Sequence, residues 1–499
     1  MTTRTGTGSE PAIRPRGRQL AGHRDSVLWL VAVAAAFTAA VLLLTPLRMS
    51  LAWDETVYVS QIGRHAPMLW SAERSRGMPL LVAPVTLLTS SAFAIRCYLA
   101  VLAGAGMFLA LLAWRGLRPA WVLALAGAVF GSLWIAQDQA SQVYPNFWAA
   151  ITGLAAAGLV LRIVTGVARS RWALVLLAVV AAVASLMRPT DSVFIFAPLL
   201  AAAVIVARRR SLPVVASAVA GLAVGLAEWA AESYLYFGNP LARLHAESHA
   251  VGGSHFSAVD SLRILSGGVA SSVPGFPSIS GWSSPWLLLW WAAFAGLAAV
   301  GVWAASRAHG WVVAAVPAVC AICIYIQYTF PARDNPRYLL PAWALLAIPA
   351  ADGIAWLAAA RTGWKRAAAI TLAGAFVVAE MVTQHGVLTS QVRAAEAGAS
   401  SSDRVAAALR RLGVRPPCRI ASSRPHLVSA SEPAAFQLGC GFSWNSRRPA
   451  AAGQRSVVLV LGASAPPGEA SRWPARRIGG GVVAYIRPQR PPAPGAKSG

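Results

Sequence analysis

The sequence predicts a polytopic α-helical membrane protein of about eleven transmembrane helices with a small C-terminal α/β or α+β domain outside the membrane. Composition is the first observation: 57% of the 499 residues are hydrophobic and 12% charged, with a mean hydropathy of +0.56. Soluble chains carry roughly twice that share of charge, which excludes a water-soluble enzyme. The second is a series of apolar runs, each about as long as a bilayer is thick. The third is the placing of charge between those runs. The net charge of +25 resembles a nucleic-acid signal, but it comes almost wholly from arginine, and many of the arginines occupy short loops where positive charge sets membrane orientation. No nucleic-acid partner is expected.

Residues 1–26 are polar, carry Arg4, Arg14, Arg16, Arg18 and Arg24, and read as a disordered cytoplasmic tail. A membrane domain is expected over 27–385. Its runs fall at about 27–46, 92–114, 119–136, 147–163, 172–187, 192–207, 213–236, 286–305, 311–330, 338–358 and 367–385. With the N-terminus inside, the cytoplasmic loops hold Arg115 and Arg118, then Arg162, Arg169 and Arg171, then Arg208, Arg209 and Arg210, then Arg307, and finally Arg361, Lys365 and Arg366. The opposite loops hold Asp54, Glu55, Glu73, Asp138, Asp191, Glu247, Asp260 and Asp334. The alternation follows the positive-inside rule and leaves the C-terminal segment exterior.

Two exterior loops, 47–91 and 237–285, are too long to be simple connections. The first contains two amphipathic stretches, Asp54–His65 and Gly77–Thr89; the second contains His245, His249, His255 and Asp260 without rigid metal-ligand spacing. In the exterior segment 386–487, Ser402–Leu412 has helical spacing, and Arg419–Ser422, Ser456–Leu461 and Gly481–Ile486 read as strands. The tail 488–499 is Pro-rich and expected to be disordered. Cys97, Cys320 and Cys323 lie in apolar runs and read as small buried hydrophobes. Cys418 and Cys440 share the exterior segment, where oxidation is favoured, and are expected to form a disulfide.

Several polar residues are candidates for chemistry. Asp54 and Glu55 follow the first span. They can complement a helix dipole, or one of them can act as a carboxylate base at the membrane surface. Arg74 and Arg76 can snorkel to lipid phosphate or clamp a phosphate of a substrate. Arg188-Pro-Thr-Asp191 and Arg333-Asp-Asn-Pro-Arg337 pair arginine with aspartate near membrane depth, where ionisable residues tend to face cavities. Asp138, Gln142 and Asn146 can meet a polar substrate or cap helices. No phosphate-binding glycine loop, dinucleotide fingerprint or zinc-protease motif occurs.

Trp53–Trp114 resembles the start of the GT-C glycosyltransferases, especially the lipid A aminoarabinose transferases and protein O-mannosyltransferases. The residues that carry the resemblance are Asp54-Glu55, Arg76-Gly-Met-Pro79-Leu80 and Ala94-Ile-Arg96, with Arg337-Tyr-Leu-Leu-Pro341 late in the membrane domain. The family's basic-Pro-Pro step is Arg76-Gly-Met-Pro79 here, and Asp138 is the nearest candidate for a second family acid. The resemblance implies transfer of a hexosyl or pentosyl group from a polyprenyl-phosphate donor to a glycan, lipid or protein of the cell envelope, at the outer face of a bacterial plasma membrane. It implies Asp54 as general base, Arg74, Arg76 and Arg337 on the donor phosphate, and Glu55 and Asp138 positioning a loop or the acceptor. No nucleotide, cofactor or metal is expected. The alternative is a transporter or flippase of a lipid-linked glycan; transporters are often built from internal repeats, and the sequence has none.

Overall fold

The structure is a computed structural model that describes residues 27–63, 67–207, 211–250, 285–307, 310–329, 336–359, 363–422, 425–443, 455–461, 468–479 and 481–488. The two tails, most of the loop 237–285 with His255 and Asp260, and Arg208, Arg209, Arg210, Arg333, Asp334 and Arg361 lie outside the described residues.

Every apolar run is helical, because a backbone in hydrocarbon must satisfy its own hydrogen bonds. The helices are α1 (Leu28–Leu44), α2 (Trp53–Ser60), α3 (Gly77–Thr86), α4 (Ala92–Leu112), α5 (Ala120–Gly131), α6 (Trp134–Ser141), α7 (Asn146–Val164) and α8 (Arg171–Met187). They continue with α9 (Pro189–Ala207), α10 (Ser211–Phe237), α11 (Pro240–Ala250), α12 (Pro285–Arg307), α13 (Trp311–Thr329), α14 (Leu340–Ala359) and α15 (Trp364–Arg411). Among the described residues seven helices are long and apolar enough to cross a membrane, or eight if α5 and α6, bent by 81°, form one span. The expected eleven exceeds this because α1 and α8 have 17 residues each, about 26 Å of helix against a hydrocarbon core of about 30 Å. The apolar run 367–385 is the first part of α15, which continues unbroken to Arg411.

α7 is buried on nearly every side, as expected of a helix that is apolar all round, and α4, α8, α9 and α14 pack around it. α12 crosses α14 closely: a Cβ on Gly301 would come within 1.9 Å of the Pro349 carbonyl oxygen, so only glycine permits that approach. At the rim, a Cβ on Gly77 would lie 2.5 Å from the Leu186 carbonyl oxygen. The start of α3 is thus pressed onto the end of α8, and the Ser75 hydroxyl donates to the Met187 carbonyl at 2.5 Å.

The C-terminal segment folds as a five-stranded sheet of order β2-β1-β3-β5-β4, with β1 Cys418–Ser422, β2 Gly441–Ser443, β3 Arg455–Leu461, β4 Ala475–Gly479 and β5 Val482–Ile486. β1 is parallel to β2 and β3, while β5 is antiparallel to β3 and β4. α16 (Pro425–Leu438) packs on this sheet, on the end of α15 and on α2. A disulfide joins Cys418 to Cys440; Cys97, Cys320 and Cys323 are free.

Candidate active site

α2 opens with two acids in its first turn, and the helical twist of about 100° per residue sends them to different places. Glu55 turns inward and is completely buried. Its Oε2 accepts from the Arg96 guanidinium at 2.7 Å and from the Ala52 N–H at 2.8 Å, and its Oε1 accepts from the Val143 N–H at 3.0 Å. Arg96 also donates to the carbonyls of Met49 and Ser50. This pair therefore fastens the α1–α2 connection to α4 and to the α6–α7 turn.

Asp54 keeps 24% of its side chain exposed and meets two guanidiniums. Arg74 lies 2.5 Å from Oδ1, and Arg337, on the turn that leads into α14, lies 3.5 Å from Oδ2. Burial pushes the Asp54 carboxyl up, but the charges of Arg74 and Arg337 together outweigh it and hold the group below the usual carboxylate range. Burial also works against the Arg74 charge, and Asp54, followed by Tyr58 and Glu73, more than restores it.

Aromatic rings hold these cations without consuming their charge. Arg74 lies 5.1 Å from the Tyr58 ring and 5.7 Å from that of Trp53, and Arg337 lies 4.6 Å from the Tyr144 ring and 5.3 Å from that of Tyr338. Arg188 continues the series at 4.9 Å from Tyr338; its guanidinium is paired with Asp191 at 2.8 Å and donates to the Tyr328 hydroxyl at 2.7 Å. A cavity of about 140 Å³ is lined by Arg74 and Arg188, by Glu73 and Glu247, and by an apolar wall that includes Val193, Leu226, Trp229 and Leu244. Two guanidiniums beside an apolar wall suit an anionic head on a hydrocarbon chain.

The other sequence candidates fall nearby. Asp138 on α6 is held by side-chain amides, Gln142 at 2.7 Å and Gln139 at 3.0 Å, and α6 packs on the turn that bears Arg337. Arg76 is not on Asp54: it pairs with Glu232 at 2.5 Å, donates to Gln61 at 3.0 Å and covers the Trp70 ring at 4.0 Å. Among the described residues no cluster of three His, Cys, Asp or Glu side chains could hold a metal.

Sequence reasoning missed Arg243. It is fully buried on α11 and donates to the carbonyls of Ala72 at 3.0 Å, Arg74 at 2.6 Å and Trp229 at 2.9 Å, and to Glu232 at 3.3 Å. It thereby fixes the backbone that carries Arg74. Its only local signal is Asn239, which caps α11 by accepting from the Ala242 N–H, and a helix cap does not announce such a role.

No protein-family model matches the chain, and no curated protein matches it. Solved structures do. ArnT from Cupriavidus metallidurans bound to undecaprenyl phosphate is 16% identical, with 92% of this chain and 97% of that chain covered at a TM-score of 0.54. The same protein in its apo state is 14% identical over the same shares at a TM-score of 0.56. The chain thus shares the fold of ArnT.

Proposed function

We propose that this chain is a polyprenyl-phosphate-dependent glycosyltransferase that moves a hexosyl or pentosyl group onto an acceptor of the bacterial cell envelope. The observation that carries the reading is the convergence of Arg74 and Arg337 on Asp54, beside an apolar-walled pocket, in a fold shared with a protein that binds undecaprenyl phosphate. In this reading all eleven apolar helices cross the plasma membrane, the N-terminus is cytoplasmic, and residues 386–487 with the Asp54 cleft face the exterior.

The chemistry divides between the carboxylate and the cations. The donor is a phosphodiester monoanion, and negative charge grows on its phosphate as the anomeric C–O bond breaks. Arg74 and Arg337 stabilise that charge, with Arg76 at the mouth of the site. Asp54, released from them as the phosphate arrives, takes the proton of the attacking hydroxyl. Asp138 positions the acceptor side. Glu55, sealed against Arg96, positions the loop.

Purified protein should transfer sugar from undecaprenyl-phosphate donors to an envelope acceptor, and Asp54→Asn should stop it. Wild-type turnover in the Asp54→Asn variant removes the base assignment. No turnover by the wild type with any such donor removes the reading.

A further inference from the structure

A larger cavity, of about 310 Å³, lies where the sheet domain meets the end of the membrane domain that carries α2. Its membrane-domain wall holds Ser50 of the α1–α2 connection, Thr56 of α2 and Ser90 just before α4. Its other wall holds Arg410 at the end of α15, and Phe436 and Gln437 on α16. It shares no lining residue with the cavity at Arg74. Thr56 and Asp54 nevertheless belong to one turn of α2, with Cα atoms about 5 Å apart by helix geometry and side chains on opposite sides.

The lining divides into acceptors and donors. The Ser50 hydroxyl donates to Asp403 at 2.5 Å and the Thr56 hydroxyl to the Trp53 carbonyl at 2.7 Å. With those protons turned away, both oxygens keep lone pairs for a ligand that donates. Gln437 is held by one amide N–H on Asp403 at 2.8 Å. Arg410 makes one long contact, 3.5 Å, to the Gln437 carbonyl and no ion pair among the described residues, which leaves most of its donors for a ligand oxygen.

Hydroxyl oxygens, an amide and a guanidinium around the Phe436 ring match a sugar, whose hydroxyls both donate and accept and whose C–H face is apolar. A hydrocarbon chain fits the apolar wall of the other cavity instead. An extended peptide is recognised by pairing with a sheet edge, and the walls here are helices and the segments that join them, not strands.

We propose that this cavity is the subsite of a glycan acceptor, whose sugar units next to the reacting one rest between Ser90 and Arg410 while its terminal hydroxyl reaches Asp54. The inference rests on the transferase reading and deepens it: the acceptor is a glycan, and the sheet domain forms one side of its binding site.

The test is transfer from an undecaprenyl-phosphate sugar to solubilised envelope glycan fragments by the detergent-purified full chain, in wild type, Arg410→Ala and Ser90→Trp. Both residues are exposed, so neither substitution opens a hole in the core. Arg410→Ala should raise the acceptor KM about tenfold, the value of one charge-assisted contact. Ser90→Trp, which fills the cavity from the opposite wall, should raise it further. In both variants kcat at saturating glycan and affinity for undecaprenyl phosphate should stay near the wild-type values. An acceptor KM unchanged in both variants overturns this inference and leaves the transferase reading standing. Weakened undecaprenyl phosphate binding in step with the acceptor KM also overturns it, since a merely structural role loosens both sites together. Wild-type transfer onto envelope protein but not onto the glycan fragments overturns the glycan assignment. No transfer by the wild type from any such donor removes the transferase reading, and this inference with it.

Discussion

Asp54 and Glu55 are consecutive residues of one short helix, and each meets arginine, but the two sides of α2 are built for different ends. On the Glu55 side, one guanidinium and two backbone N–H groups fill the carboxylate, with both partners of the ion pair at most 2% exposed. Nothing there has room or reason to exchange. On the Asp54 side, one carboxylate is shared by two guanidiniums, the second at 3.5 Å, and the group stays partly exposed. In the proposed reading a phosphate takes the place of Asp54 on those cations. The difference teaches that an acidic pair at a membrane edge is not one feature: the closed pair is architecture and the open one is available for chemistry.

Asp54→Asn is the strongest way to break that comparison. Loss of a positioned base should lower turnover by about 10²- to 10⁴-fold, while the melting temperature falls by less than in Glu55→Ala, because the amide keeps the shape and the partly exposed site can hydrate the guanidiniums that lose their counter-charge. The acid limb of the wild-type kcat/KM profile, which reports the donor-free site, should lie below the ordinary carboxylate range. A depressed folded-state value means that the ionised group, and the stability it lends, is present above the unfolded value and is lost only as pH falls through the folded one. A rate that halves near pH 5 would contradict this.

Glu55→Ala should do the opposite. Removing one partner of a buried pair leaves Arg96 charged and unmatched, a loss of about 3–5 kcal/mol, read as a sharply lower melting temperature or failure to recover monodisperse protein. A Glu55→Ala variant that is stable but inactive would place Glu55 in the chemistry and erase the distinction between the two sides.

Much of the fold was legible in the sequence, because lipid leaves a long apolar run no alternative to helix. The polar segments were harder. The helix expected at Ser402–Leu412 is the end of α15, since Gln391–Ala399 is rich in helix formers and holds no proline to stop it. α16 was not anticipated: Pro425 stands at its first position and Pro433 inside it, and Ser-Glu-Pro reads as a turn. β4 was concealed by Arg476 and Arg477, which suit the edge strand they occupy. In the site, Asp54 and Arg74 were visible from local pattern and Arg337 through a family resemblance. Arg243 was not, because its importance lies in meeting a loop far away in the chain.

The sheet domain gives the next expected effect. Cys418 and Cys440 close a loop of 22 residues between β1 and the end of α16, the helix that rests on α2. Cys418→Ser with Cys440→Ser should cost about 3 kcal/mol by the loop-entropy relation, seen as earlier proteolysis of residues 386–487. Turnover per folded molecule should fall less than in Asp54→Asn, because α2 and the arginines remain. Loss of turnover as complete as that of Asp54→Asn, in protein still folded, would mean that the sheet domain is as integral to the site as the open side of α2.

Arg76 should give the smallest effect and the finest discrimination. It resembles the closed side in having a full set of partners, Glu232, Gln61 and the Trp70 ring, and the open side in being 26% exposed. Arg76→Ala leaves Glu232 with Arg243 at 3.3 Å, so no buried charge is orphaned and the melting temperature should change little. If Arg76 reaches the donor phosphate at the mouth of the site, the KM for an undecaprenyl-phosphate sugar should rise about tenfold, the value of one charge-assisted contact, with kcat nearly unchanged. Arg74→Ala should lower kcat as well, since Arg74 lies against Asp54, the proposed base. Equal effects of the two substitutions on kcat and KM would show that position along the loop, and not attachment to Asp54, decides which arginine serves the phosphate.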